Sequence, residues 1–191
     1  MDRVILARHG ESTFSARGLV NGDIAVSCPL TERGKEEARA LGEALAGQRV
    51  DLCITSEFER TNQTADLALA GRDVPRLVLP ELNDPSYGVF EGEALDDYRA
   101  WARSHGSAEA PAGGESRREL VERYAHGYRL VLERSEESVL VVAHSLPIAY
   151  AMGEPRPRMA MVELATAHEL SAGELRAAVE GLETWLGAPT W

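Results

Sequence analysis

The stretch Val4-Ile5-Leu6-Ala7-Arg8-His9-Gly10 decides how this chain is read. Four consecutive apolar residues suit a strand covered on both faces, the habit of parallel sheets in α/β proteins. Where the run ends, the sequence sets an imidazole beside a fixed cation, a suitable place to take up a phosphoryl group. A second stretch repeats the design, with Val139-Leu140-Val141-Val142-Ala143 leading into His144. In open α/β sheets the ligand crevice lies beyond the carboxyl ends of the strands, so residues delivered by separate strand and helix units converge there.

Outward from these two runs, short apolar segments alternate with longer amphipathic ones, which predicts an α/β fold of three layers, a mostly parallel sheet with helices on both faces. Strands are expected over residues 3–7, 50–55, 76–79, 138–143 and 161–168. One helix should start at the N-cap Thr31, after Pro29-Leu30, and close at Gly47; another runs from near Glu57 to Gly71. Two more are expected at about 95–103 and 116–134. Ser171-Ala172-Gly173-Glu174 is a capping box opening a last helix to about Leu186. Residues 80–115, with Pro85, Pro111, Gly113 and Gly114, read as a small loop-rich cap within one domain spanning 1–191, and no fixed-period repeat interrupts it.

With 191 residues and 44% hydrophobic content the chain can bury a sizeable core. Its net charge of −11 argues against nucleic acid or an anionic membrane as partner. An anionic substrate must therefore be held by a local group of arginines. Cys28 and Cys53 show neither metal-ligand spacing nor the density of a disulfide scaffold, which suits a reducing interior and buried apolar filling. No apolar run approaches the ~20 residues of a membrane span, and Met1-Asp2-Arg3 leads straight into the first strand, so a cytoplasmic location is expected.

Arg60 joins the two histidines if the segment after the second strand opens toward the same crevice. A carboxylate follows the third strand at Glu81 or Asp84. The candidate set is thus two histidines, two arginines and a carboxylate. Arg8-His9-Gly10-Glu11-Ser12 resembles the hallmark of the histidine phosphatase superfamily, the phosphoglycerate-mutase-like fold. Further motifs follow in the same order: Asn21-Gly22-Asp23, Pro29-Leu30-Thr31 with Gly34, Ser56-x-x-x-Arg60-Thr61-x-x-Thr64-Ala65, Gly88-Val89-Phe90-Glu91-Gly92, Gly113-Gly114-Glu115-Ser116 and Val141-Val142-Ala143-His144-Ser145. The resemblance spans roughly residues 4–150 and is looser beyond.

What it implies is a phosphomonoesterase acting on a small phosphorylated metabolite, with no cofactor and no metal. His9 would be the nucleophile that becomes phosphorylated, with Arg8 and Arg60 binding the phosphoryl group and His144 beside it. Asp84 stands where relatives place a glutamate four residues before the glycine and is favoured as the acid, with Glu81 as its rival. Asn21 sits where relatives touch substrate with a small polar residue. Ser15 replaces a common asparagine, and Ser145 the usual glycine after the second histidine.

The chemistry agrees with these roles. Phosphoryl transfer passes through a loose transition state, so positioning and electrostatic stabilisation dominate. Arginine forks bind phosphate oxygens bidentately. A neutral imidazole must attack, and neighbouring cations favour that form. A phosphoglycerate-mutase-type phosphotransferase shares the residues but must shield its phosphoenzyme from water. A binding module for phosphorylated ligands is a further alternative. A metal held by His9, His144 and Asp84 is disfavoured, because Arg8 and Arg60 would repel it. Tyr87, Phe90 and Trp101 are expected near the cap, where they could line a pocket for an organic moiety. Trp185 and Trp191 read as anchors, His105, His126 and His168 as solvated or packed side chains, and Glu11 as an orienting residue.

Overall fold

The structure, a computed structural model, describes residues 1–153 and 161–189. Five strands form one sheet: β1 (Arg3–Arg8), β2 (Leu52–Thr55), β3 (Arg76–Val78), β4 (Ser138–Ala143) and β5 (Ala167–Ser171) in the order β3-β2-β4-β1-β5. β1, β2, β3 and β4 run parallel, and β5 closes one edge antiparallel to β1.

β1, β2 and β4 are apolar at almost every position because both faces are covered. One face packs Ile5, Ala7, Cys53 and Leu140 against Leu41 of α1 (Glu32–Ala44) and Ala65 of α2 (Glu59–Ala68). On the other face Leu6, Ile54 and Val141 meet Tyr128 of α4 (Arg117–Leu132), Ile148 of α5 (Ser145–Ala151) and Leu175 of α6 (Ala172–Gly187). Cys28 and Cys53 are both buried free thiols. Among the described residues no helix is long and apolar enough to cross a membrane.

The expected caps at Thr31 and Ser171 form, and Ser116 adds one that was not expected. The Thr31 side chain accepts from Gly34 N, and Ser116 and Ser171 each close a capping box with the glutamate three residues on. The expected strand at 161–168 lands later, at β5, because Leu164 bridges Arg8 and the chain turns through Ala165 at φ 46° before it can pair with β1. α5 was not expected. Pro147 lies inside its first turn, where the missing N–H would have found no helical partner anyway.

The cap region is more ordered than its prolines and glycines suggest. It holds two single 3₁₀ turns, Pro80–Leu82 and Gly88–Phe90, and α3 (Leu95–Ser104). Tyr98 meets Tyr87 edge-on and stacks on Trp101, which in turn stacks on His105. Trp185 packs against the buried cluster around Tyr124 and Leu182, and Trp191 lies outside the described residues.

Candidate active site

β1 and β4 are adjacent and in register, with Arg8 opposite Ala143, so the residues that follow them leave the sheet at the same level. His9 N donates to Ala143 O at 3.0 Å, and the His9 and His144 rings come to rest 5.3 Å apart, edge to face. The backbone beyond His9 needs its glycines: a Cβ on Gly10 would lie 2.4 Å from Gly34 O, and one on Gly34 would lie 2.0 Å from Glu11 O. Two glycines therefore let the first turn of α1 press against the loop that carries the imidazole.

Both nitrogens of His9 have defined partners. Nδ1 faces Gly10 O at 2.7 Å and must donate, whereas Nε2 faces the Arg60 Nε–H at 3.2 Å and must accept. The ring is thus neutral with its lone pair on Nε2. Burial, then the charges of Arg60 and Arg8, hold its pKa well below the ordinary histidine value. Desolvation is the largest cause, ahead of the neighbouring arginines that the sequence points to.

Arg60 is the hub. Its Nη1 donates to Asn21 Oδ1 at 2.8 Å and its Nη2 to Asn21 O at 3.0 Å and Asp84 Oδ2 at 3.1 Å. Nη2 also approaches His144 Nδ1 at 3.3 Å, and the guanidinium lies over the Phe58 ring. Arg8 lines the same cleft. Its Nη1 donates to Val162 O at 2.9 Å, and its buried Nε has no hydrogen-bond partner among the described residues.

Of the two candidate carboxylates, Asp84 enters the site. Its Oδ2 lies 3.4 Å from His144 Nδ1, and burial raises its pKa against the opposing pull of Arg60 and Arg8. Glu81 turns the other way, its Cβ against the Gly127 position on α4 and its carboxylate 4.0 Å from His126 Nε2. Asn21 lines the cleft, but its side chain is spent on Arg60 and on donating to Asp23 O. Ser15 also lines it, with its hydroxyl occupied by Ser12.

Sequence reasoning passed over several residues that organise the site. Ser56 Oγ meets His144 Nε2 at 2.9 Å and Thr61 Oγ1 at 2.9 Å, anchoring the back of a fully buried ring. Phe58 packs edge-on against His144. Thr64 Oγ1 accepts from Gly10 N. Glu91 receives Gly22 N and Tyr87 N on its two carboxylate oxygens, tying two loops that border the cleft. Ser56, Thr64 and Glu91 all stand inside the quoted motifs, which is the signal that could have found them.

The cleft holds about 240 Å³. Arg8, Arg60, Asp84 and the His9 imidazole form its polar end, with the fully buried His144 behind them; Phe14, Leu19, Val20, Leu95 and Leu164 supply an apolar wall. Tyr87 borders it as expected, whereas Phe90 and Trp101 pack around Tyr98 instead. Arg8 and Arg60 face the Asp84 carboxyl, while Glu11, which also lines the cleft, is turned to Thr31 and Arg33, so an excess of positive charge suited to an oxyanion remains.

A family model described as the histidine phosphatase superfamily (branch 1) matches residues 4–175. The chain is 35% identical over 173 residues to the adenosylcobalamin/α-ribazole phosphatase of Escherichia coli strain K12, covering 82% of each. It is 34% identical to a 2,3-bisphosphoglycerate-dependent phosphoglycerate mutase of Methylobacterium sp. strain 4-46, covering 99% of this chain and 90% of that protein. The crystal structure of the α-ribazole phosphatase from Shigella flexneri matches with a TM-score of 0.75 at 31% identity, covering 87% of this chain and 89% of that one.

Proposed function

The chain belongs to the histidine phosphatase superfamily (branch 1), and from that premise we propose that it hydrolyses a small phosphomonoester through a phosphohistidine on His9. The observation that carries this reading is the His9 ring itself: Nδ1–H is committed to Gly10 O, so the lone pair on Nε2 points to the arginines.

In the first step His9 Nε2 attacks phosphorus and the ester P–O bond breaks. Arg60 and Arg8 take the equatorial oxygens, with His144 beside them, stabilising charge as it spreads over the group in flight. Asp84, whose pKa burial raises, gives its proton to the departing alkoxide. In the second step the Asp84 carboxylate removes a proton from water, the water oxygen bonds to phosphorus, and the P–N bond breaks. Inorganic phosphate leaves and Asp84 is again protonated.

The apolar wall fits an alcohol with a largely uncharged skeleton. α-Ribazole phosphate, the substrate class in the names of the Escherichia coli and Shigella flexneri relatives, is the first to try. The mutase relative supplies the alternative outcome. Rapid alkaline quenching with a radiolabelled phosphomonoester should leave label on the wild-type protein and none on His9→Ala. Phosphoryl exchange between positions of a glycerate phosphate, without net phosphate release, would replace the hydrolase reading by the mutase one.

A further inference from the structure

We infer that Arg123, which lies outside every motif quoted above, is a positioning residue for the acid: with Glu115 it fixes the backbone that aims the Asp84 carboxyl. The inference rests on the reading of Asp84 as the proton donor.

Arg123 sits on α4 and reaches into the loop between β3 and the cap. Its Nη1 donates to Glu81 O at 2.9 Å and to Asn83 O at 2.9 Å, and its Nη2 lies 3.4 Å from Asp84 O. The same guanidinium grips Glu115 with both edges, Nε to Oε1 at 2.9 Å and Nη2 to Oε2 at 2.7 Å. Tyr124 adds a hydroxyl to Asn83 O at 3.0 Å, and Glu115 N donates to Ser86 O at 2.9 Å. The chain is thus held on both sides of Asp84.

Buried carbonyls outside a ladder need donors from elsewhere. One planar fork that serves a carboxylate and several carbonyls together requires arginine; a lysine offers a point charge in one direction. The arrangement matters more here because Asp84 has one methylene fewer than a glutamate. The carboxyl can reach 3.1 Å from Arg60 Nη2 and 3.4 Å from His144 Nδ1 only if its own backbone is brought forward and kept there. A displacement of about 1 Å at a reacting group costs ~10²-fold in rate.

The test compares an alkyl phosphate with p-nitrophenyl phosphate, whose leaving group needs little protonation. Arg123→Met and Glu115→Gln should each lower kcat for the alkyl ester, Arg123→Met by ~10²-fold, while the nitrophenyl ester changes only a few-fold. Adding Arg123→Met to Asp84→Asn should produce no further loss specific to the alkyl ester. Equal losses for the two esters in both variants would overturn the proposal and leave Arg123 a stabilising residue alone. If Arg123→Met fails to fold, Glu115→Gln and Arg123→Lys decide by the same ratio. Asp84→Asn by itself separates the two readings: if it shows no leaving-group dependence, the acid assignment fails and this inference falls with it. Dependence there but not in the Arg123 and Glu115 variants overturns only the latter.

Discussion

Arg60 Nε lies 3.2 Å from His9 Nε2, so in the proposed mechanism the cation that would hold the phosphoryl group already occupies the lone pair that would attack it. Substrate oxygens must take over that guanidinium before the nitrogen is free. The exchange keeps the imidazole in one tautomer until the moment of use and couples substrate binding to nucleophile release.

Removing the nucleophile should therefore abolish turnover without emptying the anion cradle. His9→Ala is expected to lower phosphatase activity on an aryl phosphate by more than about 10³-fold. Inorganic phosphate should still raise its melting temperature, since Arg8 and Arg60 remain. A variant that kept most of its activity would rule out the phosphohistidine route.

Asp84 and Glu81 can be told apart by leaving group. Asp84→Asn should slow alkyl esters by ~10²–10⁴-fold and nitrophenyl esters far less. Glu81→Gln should leave both nearly unchanged, because that carboxylate faces His126 on the far side of the loop. Steady-state kinetics on both esters gives the answer.

Ser56 anchors the back of His144. Ser56→Ala leaves a buried ring nitrogen without its partner, and the expected cost is about 1–3 kcal/mol of stability. Urea unfolding should register that loss, together with a lower kcat as the His144 ring is no longer fixed. Unchanged stability and kcat would mean that the Ser56 contact is dispensable.

Protonation should couple to stability with a definite sign. His9 and His144 both have pKa values well below the ordinary histidine value, chiefly through burial. Below about pH 6.5 the unfolded chain therefore binds more protons at these sites, and stability falls as pH falls, by up to about 1.4 kcal/mol per unit for each ring. Asp84 works the other way, since its raised pKa makes the folded state take a proton first, a contribution lost as pH rises through that folded value. Denaturant midpoints should thus fall from about pH 7.5 to about pH 5.5. The slope should be shallower in His144→Gln and steeper in Asp84→Asn. For alkyl esters the same directions, a lowered His9 and a raised Asp84, shift the pH optimum to the acid side of what the ordinary values of the two groups would give.

Gly22 sets the distance between two site loops. A Cβ there would stand 1.8 Å from Pro85 O, so Gly22→Ala must push back the residue that follows Asp84. The expected result is a loss of ~1–3 kcal/mol in stability with a fall in kcat larger than any rise in KM. Thermal unfolding and steady-state kinetics check both parts. A variant with wild-type values would show that the loop yields without cost.

The strands with both faces covered announced themselves, because only residues buried on either side read as unbroken apolar runs; β4 begins and ends where its sequence pattern does. α5 was hidden by Pro147, whose local meaning depends on its place in a first turn. The β5 boundaries were set by pairing with β1, a contact between residues far apart in the chain. The sequence could also place His9 and His144 at strand ends, and the motif order brought Arg8, Arg60 and a carboxylate to the same list.

Which carboxylate enters was a different matter. Motif position favoured Asp84 and kept Glu81 as its rival, and the physical choice falls to the 3₁₀ turn at Pro80–Leu82 and to Arg123, which face Glu81 toward α4 and Asp84 toward Arg60. Asn21 gains a role on folding: it lines the cleft and also braces Arg60. Periodicity and motif spacing are local properties; they determined the layers and nominated the candidate reacting groups. The aim of each side chain depends on partners tens of residues distant, such as Arg60 and Asp84 or Arg123 and Asn83, and only the closed tertiary structure brings those donors and acceptors within bonding range.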